Sequence, residues 1–160
     1  MTRILSIIVL FFLFKIDAQN KDKVDSELKF KKEFIIDLEV GEISEPGNLF
    51  IAIWNNSLAF KNYKRNSSDI NTGIFIDIKV KVGRGLFKKS IKLPKGVYLI
   101  SLYVDSNFNN KFDYNFLGIP KEQYGFSNNE ISKFRKPKFS EASFELKNDL
   151  SLKIKLRSIL

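Results

Sequence analysis

The sequence contains no cysteine and no histidine among its 160 residues. Without cysteine the chain cannot form disulfides, so its fold depends on its hydrophobic core. A domain of roughly 140 residues buries about two-thirds of its unfolded surface, which is enough for a stable core. The lack of histidine removes the commonest general base and a favoured zinc ligand. Because no complete catalytic motif replaces them, we expect a protein that is not an enzyme.

The first 18 residues have the features of a secretory signal peptide. Arg3 supplies a positive charge, Ile4 to Phe14 form an uninterrupted apolar run, and Ala18 offers a small residue at a cleavage position. The run is too short to cross a bilayer as a helix. We therefore expect export to the periplasm or the extracellular space, with no transmembrane span in the mature chain. Residues 19–32 are charged and aperiodic, which predicts a flexible segment before a single domain at residues 33–158.

Apolar periodicity predicts most of the strands. Phe34 to Val40 and Ile74 to Val82 alternate apolar and polar residues, which is typical of strands buried on one face. Leu49 to Trp54 and Val97 to Val104 are apolar on both faces, as expected of central strands covered on each side. No segment of the mature chain shows sustained helical periodicity. The pattern predicts an all-β fold, an antiparallel β-sandwich of about seven strands with immunoglobulin-like or transthyretin-like connections.

Turn residues predict how some of these strands connect. Gly83-Arg84-Gly85 favours a tight hairpin between the strands on either side of it. Asn148-Asp149 separates the alternating segments Ala142 to Leu146 and Leu150 to Leu156, which favours a terminal hairpin. The polar connection after Trp54 carries three side chains that we expect to anchor it to the core: Leu58, Phe60 and Tyr63.

The segment from Asp105 to Asn129 is long, polar and aperiodic, and long loops on compact domains are often functional. Its first part places oxygen-bearing groups at alternate positions of a calcium-loop template: Asp105, Asn107, Asn109, the backbone carbonyl of Lys111, and Asp113. Asn110 replaces the glycine of that template, and Phe116 replaces its bidentate acid. Two interpretations follow, a weak calcium site or a set of Asx turns in which these side chains bond the loop backbone.

The second part of the segment contains the run from Tyr124 to Asn129. Ser127 lies where a nucleophile elbow has its serine, but the following glycine, the helical pattern and a histidine base are all missing. A ligand-binding surface is another interpretation, with four candidate residues: Tyr124, Phe126, Asn128 and Asn129. The two rings would stack on a sugar or a peptide, or would instead attach the loop to the sandwich.

Two further functions remain open from the residues alone. A hydrolase acting on glycans or peptides would need a carboxylate pair, for which this segment offers four acids: Asp105, Asp113, Glu122 and Glu130. A docking module for anionic envelope polymers would use a basic cluster interleaved with Phe134 and Phe139: Lys133, Arg135, Lys136 and Lys138. The net charge is +9, but no nucleic-acid-binding motif surrounds the cluster, so we expect no nucleic-acid partner.

Several short runs carry a resemblance to a known family. They are Leu93 to Tyr98, Asp105 to Asp113, Asn115 to Pro120, Tyr124 to Asn129, and the later residues Pro137, Phe139, Ala142 and Phe144. On these runs the chain resembles the small exported bacterial proteins grouped as domain of unknown function 2141. The resemblance implies a signal peptide and a β-sandwich like those of carboxypeptidase regulatory-like and transthyretin-like domains. It supplies no activity, and the family usually has glycine where this chain has Asn110.

The sequence thus predicts an exported, non-catalytic and monomeric β-sandwich. We expect it to bind an envelope or extracellular ligand through the segment from Asp105 to Asn129. Calcium is the one cofactor that the residues suggest.

Overall fold

The computed structural model describes residues 32–63, 73–130 and 135–158. The predicted signal peptide at residues 1–18 lies outside the described residues, as do residues 19–31 of the predicted flexible segment and Lys133 and Phe134 of the basic cluster. Within the described ranges, no helix is long and apolar enough to cross a membrane.

The described residues form eight strands and three short helical segments. The strands are β1 (Glu33–Ile43), β2 (Gly47–Trp54), β3 (Ile76–Val82), β4 (Gly85–Pro94), β5 (Gly96–Asp105), β6 (Tyr124–Phe126), β7 (Phe144–Leu146) and β8 (Leu150–Lys155). The helical segments are α1 (Ser57–Asn62), a 3-10 turn (Ser127–Asn129) and α2 (Phe139–Ala142).

The strands form two sheets that pack as a sandwich. The three-stranded sheet has the order β4-β1-β8, and the five-stranded sheet has the order β3-β2-β5-β6, with β7 also paired to β5. All the pairs are antiparallel except β1 with β8, which run parallel with Ile36 opposite Leu150. The all-β sandwich is confirmed, with eight strands rather than about seven. Its order differs from that of an immunoglobulin constant domain, in which the first two strands share a sheet.

A core of aliphatic side chains lies between the two sheets. Alternate residues of each strand contribute to it, because successive side chains of a strand point to opposite faces. Its fully or almost fully buried members include Ile36, Leu38 and Val40 of β1, Leu49, Ile51 and Ile53 of β2, Ile100 and Leu102 of β5, and Ile154 of β8. Burial of these side chains is the main source of the stability that disulfides cannot supply here.

The two predicted hairpins are wrong. Beyond Gly83 and Arg84, the chain leaves the five-stranded sheet, where β3 pairs with β2, and enters the three-stranded sheet, where β4 pairs with β1. Beyond Asn148, it crosses in the same way, because β7 pairs with β5 whereas β8 pairs with β1. Periodicity and turn residues identified the strands correctly, but they do not specify which strand is the partner.

The outer face of the five-stranded sheet carries a second apolar cluster. Helix α1 covers one part of it, and Asn56 caps that helix by accepting hydrogen bonds from the amides of Leu58 and Ala59 at 2.9 and 3.0 Å. Phe60 is 2% exposed, which confirms it as an anchor. The same prediction was wrong for Leu58, which is 65% exposed because it lies on the opposite side of this short helix.

Candidate functional site

Asp105 organises the loop that joins β5 to β6. Its carboxylate is fully buried and accepts backbone hydrogen bonds from Asn109 at 3.2 Å and Asn110 at 2.8 Å. Asn110 has a φ of 62°, a left-handed conformation that asparagine adopts more readily than most residues. The calcium template has glycine at this position, so Asn110 supplies the backbone shape that the template requires.

The two asparagines at alternate positions of the calcium-loop template, Asn107 and Asn109, converge on Asp113. The side-chain amides of Asn107 and Asn109 donate to one oxygen of its carboxylate at 2.8 and 2.7 Å. Their own oxygens accept loop amides, from Asn109 to Asn107 at 3.1 Å and from Lys111 to Asn109 at 2.7 Å. The hydrogen bonds from Asn107 and then Asn109 lower the pKa of Asp113, so its carboxylate stays ionised. The Asx-turn bonds of the second interpretation are therefore present.

Glu122 brings a second carboxylate to the same place. It is 4% exposed and accepts the backbone amide of Asp113 at 2.6 Å. Burial raises the pKa of Glu122, and the nearby charge of Asp113 acts in the same direction. Over the described part of the chain, no group of three or more histidine, cysteine, aspartate or glutamate residues could hold a metal ion. The calcium site thus stays a prediction that depends on asparagine and backbone oxygens.

The outermost part of the loop is a tight turn from Asn115 to Ile119. Asn115 donates to the carbonyl of Ile119 at 2.8 Å and accepts from Gly118 at 3.0 Å, and Gly118 has a φ of 76°. Phe116 points outward from this turn and is 93% exposed, whereas Leu117, which is 67% exposed, also borders the cavity described below. The hydrogen bonds define the shape of the turn even though its side chains are largely in solvent.

The loop returns to the sheet at β6, where Gly125 is pressed against β8. A Cβ atom on Gly125 would lie 2.9 Å from Ile154 Cγ2 and 3.1 Å from the carbonyl of Lys155. Only glycine therefore fits at this position of β6. Because successive side chains of a strand point to opposite faces, the neighbouring rings of Tyr124 and Phe126 lie on the outer face of the sheet.

Ser127 and the two asparagines after it bond the backbone of neighbouring elements. Ser127 is fully buried; its hydroxyl accepts the amide of Ile100 at 3.0 Å and donates to the carbonyl of Ala142. Asn128 donates to the carbonyl of Ser143 at 2.9 Å. Asn129 donates to Lys153 at 3.0 Å and accepts from Lys155 at 2.8 Å. Of the four predicted ligand-binding residues, the structure brings Tyr124 and Phe126 to the cavity described next, but not Asn128 or Asn129.

A cavity of about 360 Å³ lies on the outer face of the five-stranded sheet. Its walls come from β2, α1, β5, the loop, β6 and the segment before α2: Trp54, Phe60, Tyr63, Ser101, Leu102, Tyr103, Phe112, Tyr114, Leu117, Gly118, Ile119, Pro120, Tyr124, Phe126, Arg135 and Lys136. Its volume is within the range of small-molecule sites. The loop singled out from the sequence supplies one side of this cavity.

Aromatic rings in mutual contact surround the cavity. On the loop side, Phe112 packs edge to face against Tyr103, Tyr114 and Tyr124, with ring centres 5.2, 5.1 and 5.9 Å apart. On the helix side, the corresponding distances from Phe60 are 5.4 Å to Trp54 and 6.4 Å to Phe126. Burial, and then the neighbouring Tyr114, raises the pKa of Tyr124, so this phenol stays neutral.

Two basic residues complete the rim of the cavity. Both nitrogens of the Arg135 fork bond the carboxylate of Glu141 at 2.8 Å. The ammonium of Lys136 lies 3.8 Å from the centre of the Phe60 ring and donates to the Phe60 carbonyl. It also lies 5.8 Å from the ring centres of Trp54 and Tyr63. Lys138, the third described member of the basic cluster, donates its backbone amide to Glu141 at 2.7 Å.

Sequence reasoning missed most of this site. Trp54 and Tyr103 belong to strands that were correctly identified as covered on both faces. That pattern does not show that a cavity lies between the sheet and the elements that cover its outer face. Lys136 was identified only as part of a charged cluster. The four acids considered for hydrolysis are not among the lining residues of the cavity.

Comparison with known proteins places the chain in a family. No curated protein and no solved structure matches it. The family model of uncharacterized proteins conserved in bacteria, DUF2141, matches residues 40–153, which extend from β1 through β8 and include the loop and both helices. The chain therefore belongs to the DUF2141 family of bacterial proteins.

Proposed function

We propose that this protein is an exported, non-catalytic binding module whose ligand occupies the cavity between the five-stranded sheet and the loop of residues 106–123. The observation that carries the proposal is the cavity itself, which is about 360 Å³ in volume and has aromatic residues as half of its lining. Sites for small molecules are typically concave, mostly apolar and already formed in the free protein. The loop contributes one wall and the rigid sheet another.

The chemistry of the described residues favours binding over catalysis. The Ser127 hydroxyl is fully buried and hydrogen-bonded to the backbone. Asp105 and Glu122 are also buried, and both accept backbone amides of the loop. A general acid or base must reach its substrate, whereas these groups hold the loop in shape.

Export follows from Arg3, the apolar run Ile4 to Phe14 and Ala18, and it places the ligand in the periplasm or outside the cell. Mass spectrometry of the protein purified from a bacterial host tests this step. We expect a chain that begins at Gln19 and, in light scattering, the mass of a monomer. A retained Met1 in an exported fraction would contradict the cleavage.

The neutral dye N-phenyl-1-naphthylamine provides a test of the cavity. Trp54 is the only tryptophan of the chain and lines the cavity, so energy transfer from it to the dye reports occupancy. We expect saturable binding of one dye molecule per chain. Truncation of a lining ring by Tyr114→Ala should weaken binding about fivefold or more.

Phe116→Ala is the matched control, since Phe116 is 93% exposed and is not a lining residue. It should leave the affinity for the dye unchanged. Absence of saturable binding, or equal weakening by both substitutions, would refute the cavity as a ligand site.

A second candidate function of the loop is calcium binding. The observation that favours it is the convergence of the Asn107 and Asn109 side chains on the ionised carboxylate of Asp113. Calcium would have to displace the two asparagine amides from Asp113, so the affinity should be weak, with a Kd of about 0.1 to 1 mM.

Thermal melting tests the ion. With a Kd of about 0.1 mM, 10 mM calcium would stabilise the folded chain by about 2.7 kcal/mol. Asp113→Asn should abolish the shift in Tm, and magnesium should produce less of it because magnesium requires octahedral geometry. An identical Tm in calcium and in chelator would eliminate calcium as a cofactor.

A further inference from the structure

The tip of the loop presents two adjoining apolar side chains to solvent, Phe116 and Leu117, which are 93% and 67% exposed. Hydrogen bonds hold the turn that carries them. In addition to the two backbone bonds of the turn, the side-chain oxygen of Asn115 accepts the amides of Leu117 at 2.9 Å and Ile119 at 3.0 Å. Because the turn is already ordered, a surface that receives these side chains loses little conformational entropy in fixing them.

The residues behind the tip change from aromatic to basic. Tyr114 forms a bridge with Pro120 directly behind the turn and is 48% exposed. One residue further back, the amide of Lys121 donates to the carbonyl of Asp113 at 3.0 Å. Lys111 and Lys121 are both exposed. The order from the tip backwards is therefore apolar, then a phenol, then basic.

Positive charge dominates the exposed surface behind the tip. Of the two acids of the loop, Glu122 is only 4% exposed and Asp113 is half-buried. A third lysine reaches the loop from β3, where its ammonium donates to the side-chain oxygen of Asn110 at 2.5 Å. We call these three basic residues the lysine collar: Lys79, Lys111 and Lys121. An anionic surface that approached the tip would be attracted by this collar.

This order of side chains matches the layers of a lipid surface. Apolar side chains enter the acyl region, tyrosine is favoured at the interface, and lysines are attracted to anionic head groups. The chain from Ile119 to Lys121 rises about 7 Å if it is extended, at roughly 3.3 Å per residue. Interfacial segments bury their apolar side chains by about 5 to 10 Å. The tip would therefore reach the acyl chains while the collar stays among the phosphates.

A lipid surface suits the tip better than a protein partner does. Stable protein interfaces bury at least about 1,000 Å² with complementary shape. An aromatic side chain buries only about 150 to 250 Å², and the tip carries one such ring beside Leu117. Lipid chains adapt to a small protruding group, so the tip needs no matching pocket there.

We infer that the protein attaches to anionic lipid surfaces by inserting Phe116 and Leu117 between the lipids, with the lysine collar at the phosphate head groups. This function is separate from that of the cavity, because Phe116 is not a lining residue. An anchor of two side chains gives a peripheral and reversible attachment.

Co-sedimentation with lipid vesicles tests the inference on protein purified after export. Vesicles of phosphatidylglycerol and phosphatidylcholine in equal parts are compared with vesicles of phosphatidylcholine alone. We expect binding to the anionic vesicles to be about tenfold stronger or more. Phe116→Ala should weaken it about tenfold, because it removes much of the inserted apolar surface. Phe116→Trp keeps a ring that is favoured at the interface and should preserve binding.

Charge is tested by Lys121→Gln, which should weaken binding to the anionic vesicles about fivefold. Matched controls lie on β4, in the other sheet. Leu86→Ala removes an apolar side chain that is 55% exposed, and Lys92→Gln removes an exposed lysine. Neither control should change vesicle binding by more than about twofold, since neither residue belongs to the tip or the collar. The Tm of each variant shows whether the sandwich is intact.

Three results would refute the inference. One is that Phe116→Ala binds vesicles as tightly as the unsubstituted protein, or that Leu86→Ala weakens binding equally. Another is that neither kind of vesicle is bound. The third is a dimer in light scattering that Phe116→Ala dissociates, without vesicle binding, which would identify the tip as a contact between two copies of the chain.

The proposed function is measured separately on the same variants. Binding of N-phenyl-1-naphthylamine without vesicles should be unchanged in Phe116→Ala and in Lys121→Gln, since neither residue lines the cavity. Loss of vesicle binding with intact dye binding supports the lipid contact as a second function. Vesicle binding in a protein that binds no dye would refute the cavity as a ligand site and leave the inference standing.

Discussion

The two apolar layers of this protein differ in composition and in packing. The layer between the sheets consists mainly of aliphatic side chains such as Ile36, Ile51 and Ile154, each 0% exposed. The layer outside the five-stranded sheet is aromatic, is covered by a loop and two short helices, and contains the cavity. Branched aliphatic side chains pack closely between the sheets, whereas the aromatic side chains of the outer layer border a cavity of about 360 Å³. The inner layer thus stabilises the scaffold, and the outer layer leaves room for the cavity.

The largest expected effect concerns the inner layer. Ile51→Ala removes a fully buried side chain between the sheets and should lower the free energy of unfolding by about 2 to 5 kcal/mol. Leu58→Ala, at a residue that is 65% exposed, should change it by less than about 0.5 kcal/mol. Urea denaturation measures both values. Similar losses for the two variants would contradict the assignment of the inner core.

The junction between the two layers is Gly125. Gly125→Ala places a Cβ 2.9 Å from Ile154 Cγ2, and the resulting overpacking should cost about 1 to 3 kcal/mol. Because the shift moves Tyr124 and Phe126, dye binding in the cavity should weaken as well. Gly83→Ala is the control, since its Cβ would meet nothing within 4 Å and should be tolerated. A stable Gly125→Ala protein with unchanged binding would show that the junction is looser than described.

A cavity-wall residue should separate stability from binding. Tyr114 is 48% exposed, and its ring packs edge to face against Phe112 with the ring centres 5.1 Å apart. Tyr114→Ala should therefore cost only about 1 kcal/mol of stability while it impairs dye binding. A large loss of stability with intact dye binding would show that Tyr114 stabilises the fold and does not contribute to the binding site.

The smallest effect concerns the acid stability of the rim. The hydrogen bonds from the Arg135 side chain, and then that from the Lys138 amide, lower the pKa of Glu141 from 4.5 to about 2. Because the folded-state pKa lies below the unfolded one, this contribution to stability is complete above about pH 4.5 and is lost as the pH falls towards 2. Glu141→Gln should flatten the dependence of Tm on pH in this window. If Tm falls with pH in this window as it does in the unsubstituted protein, the pair of Arg135 and Glu141 does not form in solution.

The sequence predicted the strands well because alternation in Phe34 to Val40 and in Ile74 to Val82 directly reflects which face is buried. It did not predict their pairing, since Leu150 reaches Ile36 only through the assembly of the whole sandwich. The loop was identified by its length and its asparagines. The cavity was not, because Trp54, Tyr103 and Lys136 lie far apart in sequence and none carries a local signal that it meets the others.

The parallel pairing of β1 with β8 has a consequence for the order of folding. Ile36 of β1 pairs with Leu150 of β8, and almost the entire sandwich lies between these two residues in the sequence. Contacts of such long range form slowly. The three-stranded sheet therefore cannot close until Leu150–Lys155 has left the ribosome. Because β8 is the last of the described strands, its pairing with β1 is the last of their pairings that can form as the chain is synthesised.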